Sequence, residues 1–294
     1  MEKMRVKANG TVLEVNQYPR NGETIVFLHF SGGNLAQWNG IVPYFMDKHH
    51  IVTLDLRGHG KSEKAESGYT IDNMALDVLH VMDQLEINKA HIVGSSLGGE
   101  IAASLAAHFP ERIESIVVEG AIQNYFGNNG VCDIKEEEIP NKKIELRERR
   151  AKRVNPVYES IAKRLEAEKQ NYESGSILWN QRIEEFETYN SSETENGECT
   201  SICPKWVIDK YVEDFWDTKF EKYFEKIVCP VLMLPSEEEW ESEKTKASTE
   251  SFQKLLKSSK VVVIPGGSHA YVAFQCPEEF SKVIQAFYIE MNHI

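Results

Sequence analysis

Residues 94–99 read Gly-Ser-Ser-Leu-Gly-Gly. They follow the apolar stretch Lys89-Ala90-His91-Ile92-Val93 and run straight into a predicted helix, Leu97 to His108. Gly-x-Ser-x-Gly is common in ordinary turns, but between a strand and a helix it specifies a nucleophile elbow. A bend that sharp leaves no room for side chains at positions 94 and 98. It forces the central residue, Ser96, into a strained backbone conformation and lifts its hydroxyl clear of the sheet. The Leu97 N–H then points at the same reacting centre.

The flanking segments define the sheet to which such an elbow belongs. Asn9-Gly10, between the β-rich runs Met4–Ala8 and Thr11–Asn16, predicts a hairpin. Thr24–His29 and His50–Asp55 are nearly continuous apolar runs of the buried-strand type. A Gly-rich loop, Ser31–Asn34, leads to a predicted helix near Gln37–Phe45. Thr70 is placed to cap an amphipathic helix to Leu85, and a strand is expected over Ile113–Val118. This alternation argues for a parallel sheet with helices on both faces.

From about Ala121 to Lys226 the alternation stops. Long charged, helix-prone segments take over, such as Tyr158–Tyr172 and Ser176–Tyr189, with an expected loop at Ser191–Gly197. It resumes with a strand in Val228–Leu234, a helix near Thr245–Leu256, a strand over Lys260–Ile264 and a last helix from Pro277. The expected organisation is one α/β core, residues 1–120 and 227–294, interrupted by a helical cap, residues 121–226. The cap is expected over the C-terminal edge of the sheet, where ligands bind in such folds.

Composition narrows the partners. Hydrophobic residues make up 41% of 294, enough for a real core, and the net charge is −13. With no basic stripe, nucleic acid is not an expected partner. The one basic cluster, Arg147 to Arg153, follows the acidic run Glu136–Glu138 and reads as solvated helix faces. The first residues lack the apolar core of a signal peptide, and no window approaches 18 uninterrupted apolar residues. No membrane partner is therefore expected. The five cysteines are an odd number and scattered, and Cys199 with Cys203 makes a poor zinc pair. They read as free thiols of a reducing cytoplasm. The expected partner is a small-molecule substrate; nothing in the sequence sets an oligomeric state.

With these motifs in hand, residues 1–120 and 227–294 resemble the α/β-hydrolase superfamily; the resemblance does not extend to the cap. It implies a mostly parallel, doubly wound sheet with an inserted helical cap. It also implies a triad in the order Ser, acid, His. Ser96 stands at the nucleophile position. His269, in Pro265-Gly266-Gly267-Ser268-His269 directly after the last strand, stands where the family places its general base. His29, His59 and His91 lie in or beside core segments and read as structural. His49, His50, His80, His108 and His293 have no convergent partner. The family's acid is usually an Asp three residues after a Gly that ends the penultimate strand. Here Leu234-Pro235-Ser236 carries Ser instead of that Gly, and the count gives Glu239. Glu238 is an alternative because Glu has a longer arm than Asp. Glu119 is another, since some members draw the acid from the earlier strand. The resemblance implies two oxyanion-hole N–H donors, one from Leu97 and one from the loop His29-Phe30-Ser31-Gly32-Gly33. Phe30 replaces the usual Gly; by position the second donor is Ser31, with Phe30 the alternative. Asp55–Ser62 matches the family's turn after its fourth strand and reads as structural.

Ser at the elbow separates this chain from the dehalogenases and epoxide hydrolases of the fold, which carry Asp there. Ser, His and an acid fit acyl transfer to water. No metal or organic cofactor is required, and Gly32-Gly33 lacks the spacing of a phosphate-binding loop. The expected reaction is hydrolysis of a small-molecule carboxylic ester. Carbon–carbon, thioester, lactone and aminopeptidase hydrolysis share the same triad. A non-enzymatic ligand receptor on the same fold is the alternative of a different class. Trp179, Trp206 and Trp216 are candidate apolar walls of the site.

Overall fold

Asn9 at φ +46° and Gly10 at φ +76° turn the chain through a tight hairpin, the geometry whose twist suits paired strands. It joins β1 (Glu2–Ala8) to β2 (Thr11–Tyr18) in the computed structural model, which describes residues 1–127 and 130–291. β2 lies antiparallel to β4 (His50–Leu54). From β4 onward every neighbouring pair is parallel. β3 (Thr24–Leu28) is followed across the sheet by β5 (Ala90–Ser95), β6 (Ile113–Glu119), β9 (Val231–Leu234) and β10 (Ser259–Val261). The order is β1-β2-β4-β3-β5-β6-β9-β10. β3 and β5 are buried at every position, which explains their unalternating apolar sequences.

Both faces of the sheet are covered. On one, α1 (Ile71–Gln84) and α2 (Leu97–His108) pack against Val26, Leu28, Ile92 and Val118. Thr70 caps α1, its hydroxyl accepting the Asn73 N–H at 3.1 Å. On the other, α11 (Pro277–Met291) and short α10 (Val272–Gln275) join Trp38, Phe45, Phe27 and Leu232. The sheet is thus doubly wound, as expected from the alternation.

Between β6 and β9 the chain forms α3 (Ile139–Ala151), α4 (Ile161–Ser174), α5 (Gln181–Tyr189), α6 (Lys205–Phe215) and the single turn α7 (Glu221–Phe224). Among the described residues, no helix is long and apolar enough to cross a membrane. The five cysteines are unpaired.

Three expectations need correction. The segment Gln37–Phe45 is not a helix but two short 3-10 turns, Leu35–Trp38 and Val42–Tyr44. Pro43 supplies no N–H and breaks any longer ladder. The expected loop Ser191–Gly197 begins with β7 (Ser191–Glu193), which pairs antiparallel with β8 (Cys199–Ser201). Three polar residues such as Ser-Ser-Glu carry no apolar alternation by which a strand could be read. The strand expected over Lys260–Ile264 is the three residues of β10, because only those pair with β9.

Candidate active site

The elbow is built by close approach. Ser96 sits at φ +49° and ψ −113°, between β5 and α2. A Cβ on Gly94 would lie 2.2 Å from the Gly98 carbonyl, and one on Gly98 would lie 2.2 Å from the Leu28 carbonyl oxygen. Glycine at both positions lets α2 start directly against the end of β3. The Ser96 N–H is tied to the Glu119 carbonyl at 2.8 Å, which fixes the strained residue to the neighbouring strand. Leu97 is the first residue of α2, so its N–H has no intrahelical partner.

His269 follows β10 in the loop before α10. Its Nε2 is 3.1 Å from Ser96 Oγ, and its Nδ1 is 2.7 Å from Glu239 Oε1. A carboxylate only accepts, so Nδ1 carries the proton and Nε2 is left to accept from the serine hydroxyl. The imidazole is crowded but open on one edge, with 44% of its side-chain surface exposed; Glu239 is 17% exposed.

The Ser236 departure from the family pattern has a local explanation. Ser236 is the N-cap of α8 (Glu237–Glu241), and Glu239 is its third residue. Ser236 Oγ accepts the Glu239 N–H at 3.2 Å, and Glu239 Oε2 accepts the Ser236 N–H at 2.8 Å. This capping box holds the carboxylate, and the Ala121 N–H adds a third donor, to Oε1, at 3.0 Å. Glu238 is exposed, and Glu237 accepts from the Gly266 N–H instead. Glu119 is buried beside Ser95 and accepts the Val272 N–H at 3.2 Å. Of the three candidates, Glu239 alone is hydrogen-bonded to the imidazole among the described residues.

The electrostatics follow from these contacts. Burial alone lowers the His269 pKa, but the hydrogen bond and charge of Glu239, with Glu119 and Glu100 behind it, outweigh burial and raise it above the ordinary histidine value. Burial opposes ionisation of Glu239, yet the His269 contact and the Ser236 and Ala121 N–H groups hold it below the usual carboxylate range. Burial pushes Glu119 and Glu100 up to about 7 each.

Of the two N–H groups expected as the second oxyanion donor, that of Phe30 is committed to Gln37 Oε1 at 3.2 Å. No acceptor is recorded for the Ser31 N–H among the described residues. Beside this loop opens a cleft of about 340 Å³, lined by Phe30, Ser31 and Gly32, by Tyr271, and by side chains of α4 and α5. Trp179 packs behind it on Tyr172. Trp216 is buried with Phe126 and Leu146, and Trp206 stands over Tyr69; neither lines the cleft.

The remaining histidines sit apart. His29 Nε2 accepts the Leu56 N–H, His59 Nδ1 bonds the Arg57 carbonyl, and His91 Nδ1 meets the Ser115 hydroxyl. His293 lies outside the described residues. In the turn after β4, Arg57 pairs with Asp77 at 2.6 Å, and Asp55 accepts the Leu35 and Lys61 N–H groups at 2.7 Å each. Among the described residues, no group of three His, Cys, Asp or Glu side chains is placed to hold a metal ion.

Two positions near the site carried no signal we read in the sequence. Gly120, at φ +86°, directly follows β6, and a Cβ there would lie 2.7 Å from His269 Cε1. A Gly at the end of a buried strand is the clue. Glu100, one turn into α2, is buried and accepts from Tyr211 Oη of α6 at 2.7 Å. A carboxylate within an otherwise apolar helix is its mark.

Comparison with known proteins points the same way. Residues 23–143 match a family model described as the alpha/beta hydrolase fold. The chain is 38% identical over 94 residues to 3-oxoadipate enol-lactonase 2 of Acinetobacter baylyi, a match covering 32% of this chain and 35% of that protein. It is 40% identical over 105 residues to the dihydrolipoyllysine-residue acetyltransferase component of the acetoin cleaving system of Cupriavidus necator, covering 35% and 28%. These matches therefore span about a third of the curated relatives or less. Among solved structures, E-2-(acetamidomethylene)succinate hydrolase superposes with a TM-score of 0.78 at 21% identity, over 98% of both chains. At that identity the likeness shows the fold.

Proposed function

The chain belongs to the α/β-hydrolase superfamily, and from that premise we propose that it hydrolyses a small-molecule carboxylic ester through an acyl-enzyme on Ser96. The observation that carries this reading is the continuous chain of hydrogen bonds from Glu239 through His269 to Ser96 Oγ. Neutral His269 takes the Ser96 proton as Oγ attacks the carbonyl carbon. The Leu97 and Ser31 N–H groups hold the oxyanion. The protonated imidazole, stabilised by Glu239, hands its proton to the leaving alcohol. Water, deprotonated by His269, then attacks the acyl-enzyme, and collapse of the second intermediate frees the acid and Ser96. No cofactor enters the scheme.

Residues 121–226 act in this reading as the cap that shapes the acyl site. In the chain they fall between β6 and β9, and that position supports the reading. The partner is a small molecule; neither nucleic acid nor a membrane is part of the proposal. A lactone is a second substrate form favoured by the likeness to an enol-lactonase, since a lactone is an internal ester opened by the same steps. The test is a burst experiment. An activated p-nitrophenyl ester should release one equivalent of chromophore per protein before the steady state, and a fluorophosphonate should label Ser96. A ligand receptor on this fold would bind such compounds without burst or turnover, and that result would reject the proposal.

A further inference from the structure

Glu119, the last residue of β6, and the two residues after it touch Ser96, His269 and Glu239 in turn. The Glu119 carbonyl accepts the Ser96 N–H at 2.8 Å. Gly120 packs so closely on the imidazole that a Cβ there would lie 2.7 Å from His269 Cε1. The Ala121 N–H donates to Glu239 Oε1 at 3.0 Å. The Glu119 side chain adds a fourth contact. Its Oε1 accepts the N–H of Val272, three residues beyond His269, at 3.2 Å. One residue thus holds the nucleophile through its main chain and the loop of the base through its side chain.

A carboxyl at this place needs a reason, since it is fully buried at the end of the apolar run Ile116-Val117-Val118. Burial of such a group is costly unless it is hydrogen-bonded. Burial pushes Glu119 up to about 7 even with the Ser95 hydroxyl, His269 and the Val272 N–H beside it. The loop that it holds is strained. Ala270, directly after His269, sits at φ +63°, a left-handed backbone that a residue with a side chain keeps only where its surroundings enforce it. The Tyr271 N–H donates to the Ser268 carbonyl at 2.9 Å, and the Ser268 N–H to Gln275 Oε1 at 2.9 Å. Those two bonds stay within the loop and α10. The Glu119 bond ties the loop to the sheet, at the strand end paired with Ser95 of β5. Val272 is 2% exposed, so its N–H would be costly to leave without an acceptor, and the loop would move to find one.

We propose that Glu119 is a positioning residue of this hydrolase: its carbonyl and its carboxyl fix the elbow and the loop of the base to one strand end, and so set the approach of His269 Nε2 to Ser96 Oγ. The inference rests on the hydrolase reading above and deepens it by adding to that site a residue that acts through His269. Its role differs from that of Glu239, whose carboxylate bonds the imidazole itself. Glu119 has to supply an acceptor of the right reach rather than a charge. Glutamine supplies one, and the neighbouring Ser95 hydroxyl can receive its amide N–H. Aspartate keeps the charge but shortens the arm by one carbon. Leucine has no acceptor.

Glu119→Gln, Glu119→Asp and Glu119→Leu test this on p-nitrophenyl acetate. The kcat is taken on the alkaline plateau of the pH profile, where His269 is neutral. It is divided by the fraction of Ser96 that a fluorophosphonate labels at completion, so that unfolded protein does not count. Glu119→Gln should keep kcat within a few-fold of the unsubstituted protein. Glu119→Leu should lower it on the order of a hundredfold, with KM little altered because no group that meets the ester has changed. Glu119→Asp should fall between the two, and it reads the effect of reach if Glu119→Leu fails to fold. An unchanged kcat per labelled site in Glu119→Leu, or in Glu119→Asp, would make the carboxyl purely structural. Glu119→Gln no better than Glu119→Leu, or worse than Glu119→Asp, would mean that charge acts rather than reach. Any of these results overturns the inference and leaves the hydrolase reading standing. No turnover and no labelling of the unsubstituted protein would remove both.

Discussion

At the scale of single residues, the proposed site rests on three side chains and one missing one. Ser96→Ala removes the only nucleophile of the proposed mechanism, and we expect ester turnover to fall by roughly four to six orders of magnitude with the fold intact, as steady-state kinetics and circular dichroism would show. Glu239→Gln separates orientation from charge. It keeps a group that can accept from Nδ1–H but removes the anion, and kcat should drop by about two to four orders of magnitude. It should also move the pH profile. The base must be neutral, so activity is lost as pH falls through the His269 pKa. Glu239 raises that pKa; without its charge the acid limb moves to lower pH. An unmoved limb would mean that Glu239 does not set the titration of the base. Gly120→Ala introduces a methyl 2.7 Å from the imidazole at a left-handed backbone position. A displacement of about 1 Å can cost on the order of a hundredfold in kcat, so the variant should lose rate with KM little altered.

At the scale of elements, what was legible followed from strong periodicity and from special turns. The elbow strand and helix, the Asn9-Gly10 hairpin and the capped helix from Thr70 all announce themselves by patterns with a direct physical cause. The count from the end of β9 singled out Glu239 but left Glu238 and Glu119 open, because the choice depends on a helical turn of five residues whose capping box holds that one carboxylate. The hairpin β7–β8 and the cluster of Arg164, Glu187 and Asn190 were hidden for a related reason. They are polar, held by tertiary hydrogen bonds, and carry no period. One such bond links α5 to the sheet: Tyr189 Oη donates to Asp55 Oδ2 at 2.8 Å. Burial raises Asp55 to about 6 despite this donor and the two N–H groups. The native pKa lies above the value of 3.8 for a free Asp. Stability from this group is therefore full below that value and is lost as pH rises through about 6. Removing a donor to the ionised form deepens the loss. Tyr189→Phe should therefore destabilise by about 1.5–3 kcal/mol near pH 8 and by less near pH 5, in denaturant titrations at the two pH values.

At the scale of the molecule, the question is what the segment between β6 and β9 contributes to chemistry and what to selection. It is not a detachable unit throughout. Phe220, Phe224 and Tyr211 belong to the main core beneath α2, and Tyr211 covers the buried carboxylate of Glu100. Deleting α6 or α7 would strip the helix that carries Ser96, and a loss of activity would then say nothing about substrate choice. The portion holding α4, α5 and the hairpin is different. Its ends meet: Asn155 Nδ2 donates to the Cys203 carbonyl at 3.1 Å. A short Gly/Ser linker in place of residues 157–202 therefore closes the chain, with loss of the Tyr189–Asp55 hydrogen bond and of the packing of Phe186 on Phe30 and Phe274. That excision removes the cleft wall of Tyr172, Phe186, Glu187 and Asn190 while leaving Ser96, His269, Glu239 and the oxyanion loop on the sheet. We expect the excised protein to keep fluorophosphonate labelling of Ser96, since its groups come from β5, α2, α8 and the loop before α10. We expect its discrimination among acyl chains to flatten toward the intrinsic reactivities of the esters, because the surface that distinguished them is gone. A panel of p-nitrophenyl esters from acetate to octanoate measures both. Unchanged preference in a folded, labelled variant would place selection in the core rather than in the cap.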